Sequence, residues 1–186
     1  KLTFLNANPN PEIIAVDQQE GKVNYFIGND PKKWRTNIPT YQAVIYKEVY
    51  PGIDIKFYGN NRQMEYDIIV KSGADPSKVR FAYEGIEGLR VTEEGDLEII
   101  LKEGKIVQKK PVVYQEIDGK RVAVSGTFKM QSHANLFPNL FAYSFDVASY
   151  DTNQPLIIDP VLVYSTYLGG SSFDLGHGVA VDSSGS

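Results

Sequence analysis

The chain has 186 residues with a hydrophobic fraction of 42%, room for one substantial domain plus a fragment. A net charge of −4 and a pI near 5.2 argue against nucleic-acid binding, which shows a clustered basic surface, and equally against an acidic membrane as partner. The absence of Cys removes disulfides, thiol catalysis and thiolate metal sites together, and no run of apolar residues is long enough for a membrane-spanning helix.

Twelve Tyr and nine Phe beside one Trp and two Met give a β-favouring composition. Asp30-Pro31-Lys32-Lys33-Trp34 places a capping Asp before a Pro suited to the first helical position, so a single helical turn is expected there. Trp34, Tyr41 and Tyr46 follow within a short span, with Tyr50 and Tyr58 beyond. Such residues can form an aromatic platform for a sugar, and they serve equally as core and rim material.

Period-two alternation then sets in, with Ile53, Ile55 and Phe57 on one strand and Met64, Tyr66, Ile68 and Val70 on the next. The Gly59-Asn60-Asn61-Arg62 link is of the kind that closes a hairpin. Asp54, Glu65 and Asp67 lie on these two strands, and Glu65 and Asp67 share a face two residues apart. Paired carboxylates across a cleft are what a glycosidase needs. Ordinary polar-out alternation predicts the same residues on a solvated face.

Asp75-Pro76-Ser77-Lys78 repeats the capped-turn signal, and Glu94-Gly95-Asp96, Glu103-Gly104-Lys105 and Asp118-Gly119-Lys120 read as turns between short strands. Strands are expected at 112–117, 122–130 and 140–147, with a loop at 131–139 and a turn at 151–155. The expected fold is all-β, an antiparallel sandwich-like domain with short helical turns.

Leu156 to Ile158 and Val161 to Tyr164 flank Asp159-Pro160, and a central strand cannot run through that Pro. The domain edge is therefore placed there, with 1–160 as the β-domain and 161–186 as a second element. Deleting 166–186 is expected to leave the first domain folded. The tail residues Tyr164, Tyr167, Leu168, Val179 and Val181 suit short strands that lack partners, and unpaired strands favour addition to a neighbouring chain.

His133 and His177 have no partner at metal-ligand spacing. Asp174 and Asp182, with nearby Ser hydroxyls and turn carbonyls, offer oxygen ligands for calcium, although an Asx-type turn accounts for them too. No cofactor is otherwise expected, because Gly169-Gly170 lacks the Gly-Lys-Ser/Thr continuation of a phosphate loop.

The stretches from Asn24 to Gly85, from Lys110 to Gly126 and from Tyr150 to Gly170, with YPGID, EYD, YQEIDG and IDP as their most specific pieces, resemble the N-terminal domain that precedes SBBP-type β-propeller repeats in bacterial and archaeal surface proteins. The resemblance implies that STYLGGSSFDLGHGVAVDSSGS, Ser165 to Ser186, opens a first propeller repeat, a blade normally being a four-stranded sheet. It also implies an extracellular or cell-surface location and a non-catalytic role in adhesion or surface structure, capping or presenting the repeats. Its partners are then further repeats of the same polypeptide. Two other readings stand beside it: a subunit that builds a filament or sheath with neighbouring copies by strand addition, and a carbohydrate-binding module.

Overall fold

The computed structural model describes residues 1–60, 63–131, 140–160 and 162–163. Among them the strands are β1 (Leu2–Phe4), β2 (Glu12–Tyr25), β3 (Arg35–Tyr50), β4 (Ile53–Asn60), β5 (Gln63–Val70), β6 (Arg80–Tyr83), β7 (Gly88–Val91), β8 (Leu97–Leu101), β9 (Gly104–Gln108), β10 (Val112–Ile117), β11 (Lys120–Val124), β12 (Gly126–Gln131), β13 (Phe141–Val147), β14 (Leu156–Asp159) and β15 (Leu162–Val163). The protein is all-β, and the strand pairs of the described residues are antiparallel.

A seven-stranded sheet runs β11-β10-β14-β5-β4-β3-β2, and two four-stranded sheets run β1-β6-β13-β12 and β15-β9-β8-β7. The alternation read from the sequence sets which face is buried. Ile53 and Ile55 of β4, Tyr66, Ile68 and Val70 of β5, and Leu156 and Ile158 of β14 form one core cluster with Phe81 of β6, Phe128 of β12 and Tyr143 and Phe145 of β13. Leu97 of β8 joins them, so all three sheets share the core. At its centre three polar side chains meet. Gln108 donates through Nε2 to the Tyr66 hydroxyl at 2.6 Å, and the Tyr143 hydroxyl donates to Gln108 Oε1 at 3.3 Å.

Both capped turns form as 3-10 turns, Pro31–Lys33 and Pro76–Lys78, with Asp30 accepting from the Lys32 amide and Asp75 from the Ser77 amide. Tyr50-Pro51-Gly52-Ile53 joins β3 to β4, and Gly52 takes φ +72°. A Cβ there would sit 2.7 Å from that of Ala74, so this turn requires glycine on two counts. Just before it the β3–β4 register shifts, and Glu48 at φ +52° turns its carboxylate to the Gly52 amide and to Lys71. Asp54, almost wholly buried, accepts from Lys47 at 2.8 Å and from the Glu48 amide at 2.8 Å, and lies 3.0 Å from Lys71 Nζ.

At Pro160 the chain changes sheets. β14 ends at Asp159 beside β5, and β15 pairs with β9 in another sheet, two residues past the edge placed from the sequence. The Gln131–Asn139 loop lies outside the described residues apart from Gln131, and so does the Asn61-Arg62 tip of the β4–β5 hairpin.

Candidate functional site

The feature that departs most from a packed β-domain is the hairpin of β2 and β3. These strands pair from Glu12↔Lys47 to Tyr25↔Arg35, but β4 accompanies β3 only from Ala43 onward. Beyond that point the ribbon continues alone among the described residues for about 25–30 Å, at about 3.3 Å per residue. Residues 17–37 are all exposed. The arm is anchored by a Thr40 hydroxyl bond to the Gly21 carbonyl at 2.7 Å and an Asn37 amide bond to the Asn24 side chain at 2.8 Å.

Its tip is apolar. Tyr25, Phe26, Ile27 and Trp34 are exposed by 53%, 60%, 70% and 37%. The Phe26 and Trp34 rings meet edge-on at 5.2 Å, and Trp34 Nε1 donates to the Gly28 carbonyl at 3.1 Å. Lys32, Lys33 and Arg35 stand exposed around them.

The three residues considered as a sugar platform do not converge. Trp34 is at the arm tip and Tyr41 is exposed near its base, opposite Gln18. Tyr46 lies at the root with its ring edge-on to Phe57 at 5.4 Å, packed against the core. Twelve residues of strand separate Trp34 from Tyr46, about 40 Å at the strand rise, and strand parity turns Tyr41 and Tyr46 to opposite faces. Asp174, Asp182, Tyr164, Tyr167, Leu168, Val179 and Val181, like His133 and His177, lie outside the described residues. Among the described residues no group of three His, Cys, Asp or Glu side chains could hold a metal ion.

Asp54, Glu65 and Asp67 do share the face of the large sheet that turns away from the core, as the alternation required. That face is less solvated than alternation alone implies: Glu65 is only 9% exposed and Asp67 is half-buried. Asp159 of β14 joins them, two ladders from Tyr58. The pairs Tyr58↔Glu65, Lys56↔Asp67 and Val112↔Asp159 set this layout, and the Tyr58 hydroxyl donates to Asp67 Oδ1 at 3.0 Å. Burial raises the Asp67 carboxyl, with the Tyr58 hydrogen bond opposing it. Burial, then the charges of Asp67 and Glu65, push Asp159 up to about 6. Its Oδ1 is buried without a hydrogen-bond partner. Asp54 differs in kind: burial opposes its charge, but the Lys47, Glu48 amide and Lys71 contacts outweigh that and hold it below the usual carboxylate range.

The cluster can hold a proton in mildly acidic solution, which is one half of an acid–base pair. A hollow of about 350 Å³ on the third sheet is lined by Arg90, Val91, Thr92, Glu93 and Glu94, and none of Asp54, Glu65, Asp67 and Asp159 borders it. One consequence is a pH-dependent stability. A folded-state value above that of an unfolded Asp means that the folded chain holds the proton more tightly, so this contribution is greatest below about pH 4 and falls as pH rises to 6. Asp159→Asn is expected to stabilise the protein by about 1 kcal/mol at neutral pH, after allowance for partial solvent screening, and by nothing in acid. Urea unfolding at the two pH values checks this; a destabilised variant at neutral pH would show that the carboxylate is held by a cation.

The arm itself is hard to see in the sequence. Asp17 to Lys22 reads DQQEGK, with no apolar alternation, because a ribbon exposed on both faces has no core side to mark. The available signal is the run Tyr25-Phe26-Ile27 set beside a capped turn.

Fold and site together define an antiparallel all-β domain in which a long two-stranded arm stands off a three-sheet body. The chain belongs to the family described as domain of unknown function DUF7948, whose model matches residues 1–161. No curated protein and no solved structure matches it. No described helix is long and apolar enough to cross a membrane.

Proposed function

We propose that the protein is a non-catalytic, extracellular structural module that attaches to another surface through the β2–β3 arm, its sandwich-like body capping or presenting propeller-type repeats that begin at Ser165. The observation that carries this reading is the arm. A two-stranded ribbon is marginally stable alone in water, and large apolar side chains gathered at an exposed tip mark interaction sites. Partial repeats and an extracellular setting rest on the sequence resemblance. The test is to replace residues 18–41 by a short turn in the protein as its cells make it. Retained folding with loss from the cell surface supports attachment through the arm; unchanged retention would remove it.

Assembly with further copies is the second reading, and one observation favours it. β2 is an outer strand of the seven-stranded sheet, and Glu12 to Val16 pair with β3 without interruption, with Ile13 exposed. A long free edge is a template for strand addition. Farther along, the register shifts between Gln18 and Lys22 and between Val23 and Tyr25 interrupt that template.

A further inference from the structure

We propose that the arm tip seats in an anionic lipid bilayer, with Tyr25, Phe26, Ile27 and Trp34 entering the interfacial layer and Lys32, Lys33 and Arg35 meeting headgroup phosphates. The proposal rests on the reading of the arm as the attachment element and names what it meets.

Charge is segregated along this chain. From Gly21 to Arg35 there are four cations, Lys22, Lys32, Lys33 and Arg35, and one carboxylate, Asp30, although the whole chain carries −4. Asp30 is exposed but engaged locally, as the acceptor of the Lys32 amide at 3.0 Å. An anionic surface therefore attracts the tip and repels the body, so the molecule approaches end-on. Binding of this kind scales with apolar area plus attraction to anionic lipid, and Tyr and Trp suit the interface because each joins an apolar body to a polar handle.

Part of the tip's backbone is already paired, which suits a layer poor in water, where unpaired backbone groups are costly. The Lys33 amide donates to the Asp30 carbonyl at 3.0 Å, and the Trp34 amide donates to the Pro31 carbonyl at 3.1 Å. The Gly28 carbonyl takes the Trp34 indole N–H. Side chains most exposed at the apex, Phe26 and Ile27, carry no polar group to desolvate. A protein groove would favour a flat row of side chains along one strand face; here the apolar residues sit at the end of a projection with cations flanking them.

Trp34 is the single Trp of the chain, so its emission reports on the tip directly. The full chain is titrated with vesicles of phosphatidylcholine alone and of phosphatidylcholine containing phosphatidylglycerol, following emission and co-sedimentation. The expected result is a blue shift and sedimentation with the anionic vesicles, at least about tenfold weaker with the neutral ones and at high salt. Phe26→Ser with Ile27→Ser, and separately Lys32→Glu with Lys33→Glu, should each weaken binding by about tenfold or more without moving the thermal transition. Absence of binding to either vesicle, or binding indifferent to both variants, overturns the proposal. If vesicles fail and the arm-replaced protein still leaves the cell surface, attachment stands and lipid is the wrong partner. If vesicles bind and the arm-replaced protein stays on cells, attachment through the arm is wrong while the lipid contact stands. Self-association abolished by the same variants, without vesicle binding, would identify a second copy as the occupant.

Discussion

Phe81→Ala is expected to destabilise the protein by about 3–5 kcal/mol, the range for removing a large aromatic from a well-packed core. Phe81 has no exposed surface, and its ring lies 5.1 Å from Phe4, 5.9 Å from Tyr66, 5.3 Å from Tyr143 and 5.9 Å from Phe145. Those rings come from β1, β5 and β13, so the cavity opens between the seven-stranded sheet and the sheet of β1-β6-β13-β12. Strands constrained by ladders on both sides collapse poorly into a void. Denaturant unfolding reads the loss, and a change below about 1 kcal/mol would mean that the sheets can close over the gap.

Gln108→Leu should cost about 2–5 kcal/mol for a different reason. Leu fills a similar volume, so packing changes little. However, Gln108 is buried and serves both the Tyr66 and the Tyr143 hydroxyls. Removing it takes a partner from two buried hydroxyls, at about 1–3 kcal/mol for each one left unpaired, although Tyr143 keeps a side-chain hydrogen bond to Tyr83. The hydroxyls lie 3.5 Å apart and can partly serve each other, which lowers the sum. A Gln108→Leu chain that also carries Tyr66→Phe and Tyr143→Phe should recover much of the loss, because the two buried hydroxyls that Gln108 served are then gone and Tyr83, which loses its bond to Tyr143, is only partly buried. Urea midpoints of the single and triple variants measure this; a triple variant worse than the single one would show that the hydroxyls are held by other partners.

These two sites mark how far the sequence could be read. Ile53, Ile55, Tyr66, Ile68 and Val70 announce a β-hairpin with one buried face, because the side-chain period of a strand is fixed and one face must leave water. Asp30-Pro31 and Asp75-Pro76 announce their turns through chemistry local to a few residues. Gln108 announces nothing. It is the last residue of β9 in a polar stretch, QKK, and only tertiary packing brings it between two tyrosines distant in sequence. The carboxylates fall between these cases: alternation put Glu65 and Asp67 on one face, but their desolvation and the arrival of Asp159 depend on β14 pairing with β5. For the arm, the residues were visible and the architecture was not. Trp34 stood out by type, while its distance from Tyr46 follows from how long β2 and β3 run beyond β4.

The central claim, that the arm tip is the surface through which the protein is attached, is tested most directly by placing a photo-crosslinking side chain at Ile27 in the protein on intact cells. A second sample carries it at Tyr114, whose side chain lies under the Arg121 guanidinium on the outward face of the large sheet. The account predicts efficient crosslinking to a cell-surface component from position 27 and little from position 114. Crosslinks from position 114 with none from position 27 would contradict it and move the site to the carboxylate face.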